Sequence, residues 1–329
     1  MCRILTIGTL VIDLIAVDLP RIAGPGEAIH VKKPIDMAIG GHAANVAIDL
    51  IKLGVNCDVH VCGAIGDDVF GEIIEGHLSK YKLKPYLQIV KGIGTARNLI
   101  LVVKGEDRRF HVYPGANRYL NTVFVSNVIE KVKPDFIYIA IGFSPGFDSN
   151  IVKVLVKAKE IGSKIMIDVA YPQEFIKKAF MDSIMYADVI HCNDLELKKL
   201  TNAKSLIEGL KTINKYNPKL VFVTLGSRGA LALYKGYLIR QKSYSVNVVD
   251  PTGAGDAFCA GVIYSLTEYG FNVDVLGLRE ITNILAYAQA VGALATTKPG
   301  ASTAIEQKSL NILLEQRSKI IEEQEISKL

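Results

Sequence analysis

Several signals that would assign this chain to a class of protein are missing from its sequence. Tryptophan is absent, and the five cysteines include no C-x-x-C pair of the kind found in zinc or redox sites. Cys57 and Cys62 lie in an apolar stretch and are expected to be buried thiols, which indicates a reducing compartment. The apolar start of the chain is too short to cross a bilayer and is interrupted by Asp13. We therefore expect a cytoplasmic protein with no membrane partner.

A strong charge of one sign is also missing. The net charge is +5, and the basic residues are scattered, with only short runs such as Lys32-Lys33 and Arg108-Arg109. Such runs are typical of solvated edges, so we expect no nucleic-acid partner. No internal repeat or low-complexity linker divides the 329 residues, half of which are hydrophobic. The sequence therefore predicts one large domain, residues 1–329.

Apolar runs of strand length alternate with amphipathic helical stretches along almost the whole chain. This alternation predicts an α/β fold, with a mostly parallel sheet covered by helices on both faces. The predicted strands are residues 4–8, 58–64, 136–140, 164–168, 188–191 and 220–224. The predicted helices are residues 43–53, 69–80, 147–161, 257–268 and 279–297, with a surface helix within residues 306–329.

Two segments break this pattern by alternating polar and apolar positions. Residues 27–36 and 99–113 are expected to form half-exposed antiparallel strands, the second pair joined by a turn at residues 105–107. They predict a small β-sheet lid beside the main sheet, built from about residues 13–38 and 95–115. Exposed strands rich in Ile, Val, Phe and Tyr invite pairing, so we expect a homodimer through this lid.

The run DPTGAGD, residues 250–256, carries the most chemical information. It is predicted to lie between the β-prone residues 246–249 and the following helix. Gly253 and Gly255 allow backbone conformations closed to other residues and let amide groups approach an anion. A helix N-terminus adds partial positive charge, which suits a phosphate or a phosphoryl group in transfer. Asp256 is then either an N-cap or a general base, and the preceding glycines favour the base.

This run resembles the C-terminal motif of the ribokinase-like, or PfkB, carbohydrate kinases. Other segments match the family in its usual order, and together they cover nearly the whole chain. These segments are Gly40-Gly41-His42-Ala43-Ala44-Asn45, residues 63–71, Asn193-Asp194-Leu195-Glu196 and residues 224–229. The resemblance implies a three-layer α/β/α fold with a mostly parallel central sheet and a small β-sheet lid. It also implies an ATP-dependent phosphotransferase that uses Mg²⁺.

The resemblance gives each matching residue an expected role. Asp256 would deprotonate the acceptor hydroxyl as it attacks ATP, and the amides of Gly253, Ala254 and Gly255 would hold the developing charge. Glu196 would organise Mg²⁺ through water, although Asn193 and Glu196 also fit a helix capping box. The expected substrate residues are Asp13, Gly40, Gly41, Asn45 and Arg97. The expected nucleotide residues are Asn193, Thr224, Gly226, Ser227, Gly229 and Asn283. A monovalent cation such as K⁺ is expected near Asp250, Thr252 and Gly300.

The acceptor stays open at this point. The segment ending GEDRRFHVYPGAN resembles ribokinases, but residues 140–148 lack their glutamate. GGHAANVA lacks their lysine and is closer to fructokinase-like or nucleoside-kinase-like members. Arg97 could meet an anionic or keto substrate, or be a surface arginine. A sugar of ribose or fructose type is favoured over a nucleoside, and a 2-keto-3-deoxy sugar acid is also open.

Two alternatives come from other classes of protein. A dinucleotide-dependent oxidoreductase would need G-x-G-x-x-G after the first strand, which is absent. A catalytically inactive sugar-binding regulator would have no physical reason to keep Asp256, the glycine turn and Glu196 together. His42 and His191 are expected to make local hydrogen bonds. The sequence therefore favours an active kinase.

Overall fold

The computed structural model describes residues 2–106, 108–170, 174 and 176–329, and these residues form two β-sheets with helices around the larger one. Its strands are β1 (Cys2–Ile7), β2 (Val11–Leu19), β3 (Ile35–Gly40), β4 (Cys57–Gly66), β5 (Lys84–Val90), β6 (Arg97–Val103), β7 (Arg109–Tyr113), β8 (Phe136–Ile141), β9 (Lys164–Val169), β10 (Val189–Asn193), β11 (Leu220–Thr224), β12 (Ala230–Tyr234), β13 (Tyr237–Gln241) and β14 (Glu325–Lys328).

The α-helices follow the strands in the alternation that the sequence predicts. They are α1 (His42–Lys52), α2 (Val69–Lys80), α3 (Thr122–Val132), α4 (Pro145–Asp148), α5 (Ile151–Glu160), α6 (Ile176–Ser183), α7 (Asp194–Thr201), α8 (Leu206–Asn214), α9 (Ala254–Thr267), α10 (Leu278–Ala295), α11 (Gln307–Leu314) and α12 (Arg317–Glu322). Short 3₁₀ turns include Gly115–Tyr119 and Gly226–Arg228.

The larger sheet has the order β14-β13-β12-β11-β10-β9-β8-β1-β4-β5. Its pairings are parallel from β5 through β11 and antiparallel from β11 through β14. Every residue of β8 is buried, as expected for a parallel strand covered on both faces. One apolar core includes residues of α1, α9 and α10, and the other includes residues of α3, α5, α7 and α8. The predicted three-layer arrangement with a mostly parallel sheet is confirmed.

The smaller sheet has the order β3-β2-β6-β7 and is named here the small sheet. Strands β6 and β7 form the predicted antiparallel hairpin, although Asp107 of the predicted turn lies outside the described residues. The prediction of a strand from residue 27 is wrong, because β3 begins only at Ile35. Pro34 has no N–H to donate to a ladder, which explains a strand that starts directly after it.

Four local predictions are corrected by the structure. Residues 147–161 do not form one helix, because Asn150 leaves the helical conformation between α4 and α5. Residues 246–249 form no strand among the described residues; the amides of Val249 and Asp250 instead donate to the Thr296 carbonyl. Helix α9 begins at Ala254, earlier than predicted. The C-terminal segment forms α11 and α12 followed by β14, which pairs with β13.

The cysteines are also arranged differently from the prediction. Cys2 and Cys57 are opposite each other on the neighbouring strands β1 and β4, with Cα atoms 4.7 Å apart, and form a disulfide. The prediction of a buried Cys57 thiol is therefore wrong, whereas Cys62 is a buried free thiol. The sequence could not show this pair, because it does not reveal which strands are adjacent. Among the described residues, no helix is long and apolar enough to cross a membrane.

Candidate active site

A cavity of about 920 Å³ lies at the carboxyl ends of β9, β10 and β11. This edge of a parallel sheet is where α/β folds bind ligands. The segment 243–248, the start of α9 and the end of α10 complete its walls. Several predicted site residues line this cavity: Asn193, Glu196, Thr224, Gly226, Ser227, Gly229, Gly253, Ala254, Gly255 and Asp256. The structure therefore brings the predicted catalytic and nucleotide residues together.

The predicted anion site lies at the N-terminus of α9. Gly253 is the N-cap residue with φ 77°, and a Cβ added there would lie 2.5 Å from the Cβ of Ala301, so only glycine fits. Gly255 is helical, and a Cβ there would meet only ordinary contact with His191, so the predicted special conformation of Gly255 is wrong. The Ala254 amide donates to the Pro251 carbonyl at 3.3 Å. No side chain of the described residues caps this end, which leaves amide groups for an anion.

Asp256 is the third residue of α9 and is buried at the edge of the cavity. Since Gly253 takes the N-cap position, the interpretation of Asp256 as an N-cap is excluded. Its Oδ1 lies 2.7 Å from His42 Nδ1, and its Oδ2 accepts a hydrogen bond from Asn45 Nδ2 at 2.7 Å. Asn45, predicted to bind substrate, thus contacts the predicted base directly. The local hydrogen bond predicted for His42 is this contact with Asp256.

The start of α1 and strand β2 form the predicted substrate side of the site. Asp13 on β2 accepts a hydrogen bond from Asn98 Nδ2 at 2.8 Å. Burial raises the pKa of Asp13, the Asn98 bond lowers it, and the charge of Asp250 raises it again. A Cβ added at Gly40 would lie 2.6 Å from Asp13 Oδ2, so glycine leaves room for this carboxyl. Asp13, Gly40, Gly41 and Asn45, named here the substrate wall, do not line the cavity themselves; Asp13 and Gly40 are neighbours, and Asn45 connects this group to Asp256 at the cavity edge.

Arg97 lies next to Asn98 on β6. Its guanidinium carbon is 4.7 Å from the centroid of the Phe70 ring and 5.3 Å from that of Tyr113. This cation–π packing holds the guanidinium in place, and the role of Arg97 in binding substrate stays a prediction. Asn98, which the sequence analysis missed, is the β6 residue that contacts Asp13.

A buried network that the sequence analysis also missed forms the floor of the cavity. Asp168, at the end of β9, accepts a hydrogen bond from Tyr138 Oη at 2.5 Å and contacts His191 Nδ1 at 2.6 Å. His191 Nε2 lies 3.3 Å from the hydroxyl of Thr224. Burial lowers the pKa of His191, but the Asp168 carboxylate outweighs this effect and the pKa is raised overall. The floor is therefore a charged chain of hydrogen bonds.

Asn193 and Glu196 form the capping box of α7. Asn193 Oδ1 accepts a hydrogen bond from the Glu196 amide at 2.9 Å, and Glu196 Oε2 accepts one from the Asn193 amide at 2.7 Å. Burial raises the pKa of Glu196 to about 7; the Asn193 amide lowers it and Asp168 raises it. A partly buried carboxylate beside another one fits a hydrated divalent cation, which would relieve this charge. The capping and metal interpretations are therefore compatible.

Asn283 is the predicted nucleotide residue that lies apart from the cavity. The Asn283 Nδ2 donates to the Arg279 carbonyl at 2.9 Å, and the Asn283 carbonyl accepts a hydrogen bond from the Arg317 guanidinium at 3.1 Å. Gln289 and Ala293, which lie further along α10, line the cavity instead.

The three residues predicted to bind a monovalent cation are joined by hydrogen bonds. Asp250 Oδ1 accepts from the Thr252 amide at 2.9 Å, and Asp250 Oδ2 accepts from the Gly300 amide at 3.0 Å. Asp250 also forms an ion pair of 2.7 Å with Arg108, which directly precedes strand β7 of the small sheet. Since Arg108 already compensates the carboxylate, a cation here would depend on backbone carbonyl groups. The cation site stays a prediction.

Comparison with known proteins identifies the family. The model of the pfkB family carbohydrate kinases matches residues 1–308. The chain belongs to this family. A fructokinase of Vibrio alginolyticus is 27% identical over 275 residues, covering 81% of this chain and 88% of the relative. A ribokinase of Lactococcus lactis is 29% identical over 272 residues, covering 82% and 85%.

Solved structures give the same result for this pfkB carbohydrate kinase. A ribokinase from Giardia lamblia superposes with a TM-score of 0.81 at 21% identity, over 95% of this chain and 99% of that one. A fructokinase from Vibrio cholerae, in its fructose, ADP and calcium ion bound form, superposes with a TM-score of 0.74 at 27% identity, with the same coverage. The predicted family, fold and enzyme class are confirmed, and the oxidoreductase alternative is wrong.

Proposed function

We propose that this pfkB carbohydrate kinase transfers the γ-phosphoryl group of ATP to a hydroxymethyl group of a small sugar of ribose or fructose type, with Asp256 as the general base. The observation that best supports this proposal is the position of the Asp256 carboxyl group. It lies in the first turn of α9, beside the anion site at Gly253 and in contact with Asn45 of the substrate wall. A hydroxyl placed between the two walls would meet both the base and the phosphoryl group.

The chemistry follows from this arrangement. As the acceptor oxygen bonds to the γ-phosphorus, its proton passes to the Asp256 carboxylate, and the bond from the γ-phosphorus to the leaving oxygen of ADP breaks. Amides at the start of α9 stabilise the charge that develops on the transferred group. When bound, Mg²⁺ neutralises phosphate charge, and Glu196 would hold it through water. The nucleotide would occupy the part of the cavity lined by Thr224, Gly226, Ser227 and Gly229.

The substrate wall supports a hydroxyl-rich acceptor. The buried Asp13 carboxyl and the half-buried Asn98 amide form a polar pair, and such a pair can bind sugar hydroxyls by accepting and donating hydrogen bonds. Named relatives include both fructokinases and ribokinases, and the Vibrio cholerae structure contains fructose. A nucleoside kinase of the same family is the second candidate. One solved neighbour, an aminoimidazole riboside kinase complexed with aminoimidazole riboside and an ATP analogue, makes it worth testing.

The deciding experiment is an ADP-release assay with Mg-ATP against a panel of acceptors. The panel contains ribose, fructose, glucose, 2-keto-3-deoxygluconate, adenosine, inosine and cytidine. Asp256→Asn tests the base, and Asp36→Asn, an exposed position on the small sheet, is the matched control. We expect turnover of a sugar that falls by about a hundredfold or more in Asp256→Asn alone. Turnover of nucleosides only would select the second candidate.

No turnover of any acceptor, together with measurable ATP binding, would instead support the inactive sugar-binding regulator. Replacing Na⁺ by K⁺ in the same assay tests the monovalent cation predicted near Asp250, Thr252 and Gly300. A rate that does not respond to K⁺ would remove that site.

We further propose that the small sheet acts as a lid over the substrate wall and as a homodimer interface. Its outer strands β3 and β7 expose large apolar side chains, including Ile35, Met37, Phe110 and Val112. Exposed apolar edge strands favour pairing with another copy of the chain. The cytoplasmic location also remains a prediction. It was inferred from Cys57 and Cys62 as free thiols, and Cys57 forms a disulfide with Cys2 instead.

A further inference from the structure

His42 contacts the proposed base, although the proton transfer described above does not use it. His42 Nδ1 lies 2.7 Å from Asp256 Oδ1, while Asn45 Nδ2 donates to Asp256 Oδ2 at 2.7 Å. The two donors are three residues apart, so they lie on the same face of α1. The carboxyl group of Asp256 is therefore held at both oxygens by one turn of one helix.

The backbone of His42 is itself fixed before its ring reaches the base. Gly41 has φ 97°, and a Cβ there would collide with the Thr9 backbone, so only glycine permits this entry into α1. The His42 amide donates to the Thr9 hydroxyl at 3.0 Å, and the Ala43 amide donates to the Thr9 carbonyl at 3.3 Å. These contacts fix the backbone at the start of α1, from which the His42 side chain reaches Asp256 at the cavity edge.

The ring faces carboxylates from several elements. These are Asp256 on α9, Asp168 at the end of β9, and Glu196 on α7, while His191 on β10 is bound to Asp168. One side-chain N or O atom from each of His42, Asp168 and Asp256 lies within 4.8 Å of the others. Burial favours the neutral ring, but the three carboxylates outweigh it and raise the pKa of His42 to about 9. At neutral pH the ring is therefore a cation that donates from Nδ1.

This positive charge matters for the contact with Asp256, because an ionised donor makes a stronger hydrogen bond to a carboxylate than a neutral donor does. Two of the four acceptor positions of the carboxylate are used by His42 and Asn45, so two remain for the acceptor hydroxyl.

We propose that His42 is a positioning residue for the general base, orienting the Asp256 carboxyl through a charged hydrogen bond to Oδ1. This rests on the proposed role of Asp256. In the transfer step the hydroxyl proton goes to the free side of the carboxylate, and the proton on His42 Nδ1 stays where it is. His42 thus acts on the rate through Asp256, without contact to the transferred group.

The test uses His42→Ala and His42→Asn, since asparagine keeps a neutral donor near the position of Nδ1. His77→Asn is the matched control, because His77 is a half-buried histidine on α2 outside the cavity. The measurements are kcat and KM for ATP and for the best acceptor between pH 5.5 and 9.5. For His42→Ala we expect kcat to fall about 30-fold or more, with KM for ATP changed less than about threefold.

The pH profile separates this role from a structural one. In the unmodified protein kcat should fall as the pH rises through about 9, where the His42 ring loses its proton, and both His42 variants should lack this alkaline limb. His42→Asn should recover part of the kcat, since it restores a donor but no charge. Unchanged profiles, or a rise in the KM for ATP alone, would overturn the proposal.

An NMR titration of the histidine rings gives a readout that is independent of activity. The His42 signal, assigned by its loss in His42→Ala, should titrate at clearly lower pH in Asp256→Asn than in the unmodified protein. An unchanged titration would contradict the coupling. Failure of the proposed function has a different signature: Asp256→Asn would keep full turnover, or no acceptor would turn over, whatever the His42 variants do.

Discussion

Ionisable side chains are arranged differently in two regions of the molecule, the large sheet at its cavity edge and the small sheet. At the cavity edge, buried ionisable groups are paired across distant segments, as in the contacts of Asp256 with His42 and of Asp168 with His191. The outer strands of the small sheet instead expose large apolar side chains. Its charged contact with the cavity edge is the ion pair of Arg108 with Asp250, which is partly exposed. The first region is held by many internal contacts, whereas the second has the exposed apolar surface on which we base the lid and dimer proposals.

This difference has an energetic basis. Removing one partner from a buried charged pair leaves an unpaired charge and costs several kcal/mol, whereas exposed pairs contribute roughly 0–1 kcal/mol. Changes at the cavity edge should therefore have large effects, and changes in the small sheet small ones. The experiments below test this ranking.

Gly253→Ala should have the largest effect. The new methyl group would collide with Ala301 and require a left-handed conformation, so the amides at the start of α9 would shift. We expect kcat to fall by about 10²–10³, the cost of losing one donor to a developing charge. Gly236→Ala is the control, because Gly236 has the same φ of 77° with no described atom within 4 Å of the added Cβ. Equal losses in both variants would show that backbone strain alone is responsible.

Asp49 is the exception within the large-sheet region, since neither of its carboxyl oxygens forms a hydrogen bond of normal geometry to a described residue. Burial raises its pKa well above the usual value, against smaller opposing effects of Ser302 and Lys52. Because this pKa is higher in the folded than in the unfolded state, the stability present below about pH 4 is lost as the pH rises.

Asp49→Asn should remove this dependence on pH. We expect the variant to be more stable than the unmodified protein by about 1–3 kcal/mol at pH 8, and nearly equal to it at pH 4. Chemical denaturation at both pH values measures the difference, and the exposed Asp36→Asn should change neither value. A variant less stable at pH 8 would mean that the charged form of Asp49 has a partner that the fold depends on.

Local features of the fold could be predicted from the sequence. Helix α2 and strand β11 have the predicted bounds, because their apolar periods and the residues at their ends are local signals. Gly253 and Asp256 could be placed in one site, because a helix start brings them together over a few residues. Errors arose where a single residue changed the path of the chain, as Asn150 does between α4 and α5.

Contacts between distant segments could not be predicted in this way. His42 and Asp256 are 214 positions apart, and their contact depends on how α1 and α9 pack. The same reason explains the Cys2–Cys57 disulfide. Asp168 did carry a usable signal, since it is a polar residue near the end of an apolar strand, as Asn193 is on the neighbouring strand β10.

Arg108→Met should have a smaller effect on catalysis than Gly253→Ala. The substitution removes the ion pair between Arg108 and Asp250, whose side chains are 22% and 16% exposed, respectively. It leaves the amides at the start of α9 in place. We expect the KM for the sugar to rise about threefold to tenfold, with kcat changed less, because a partly exposed pair contributes about 1 kcal/mol. Arg109→Met is the control, since Arg109 pairs with Glu106 inside the hairpin. A larger loss in kcat than in KM would place Arg108 in the chemical step.

Changes on the outer strands of the small sheet should have the smallest effect on catalysis. Ile35 on β3 and Val112 on β7 are 62% and 64% exposed, so replacing them by charged residues should disturb the packing of the small sheet little. Light scattering at micromolar concentration should show a dimer for the unmodified protein and a monomer for Ile35→Asp with Val112→Lys, at activities within about twofold of each other. Val123→Lys, at an exposed position on α3, should leave the dimer intact. A monomeric mass for the unmodified protein would end the dimer proposal and leave the small sheet only its role over the substrate wall.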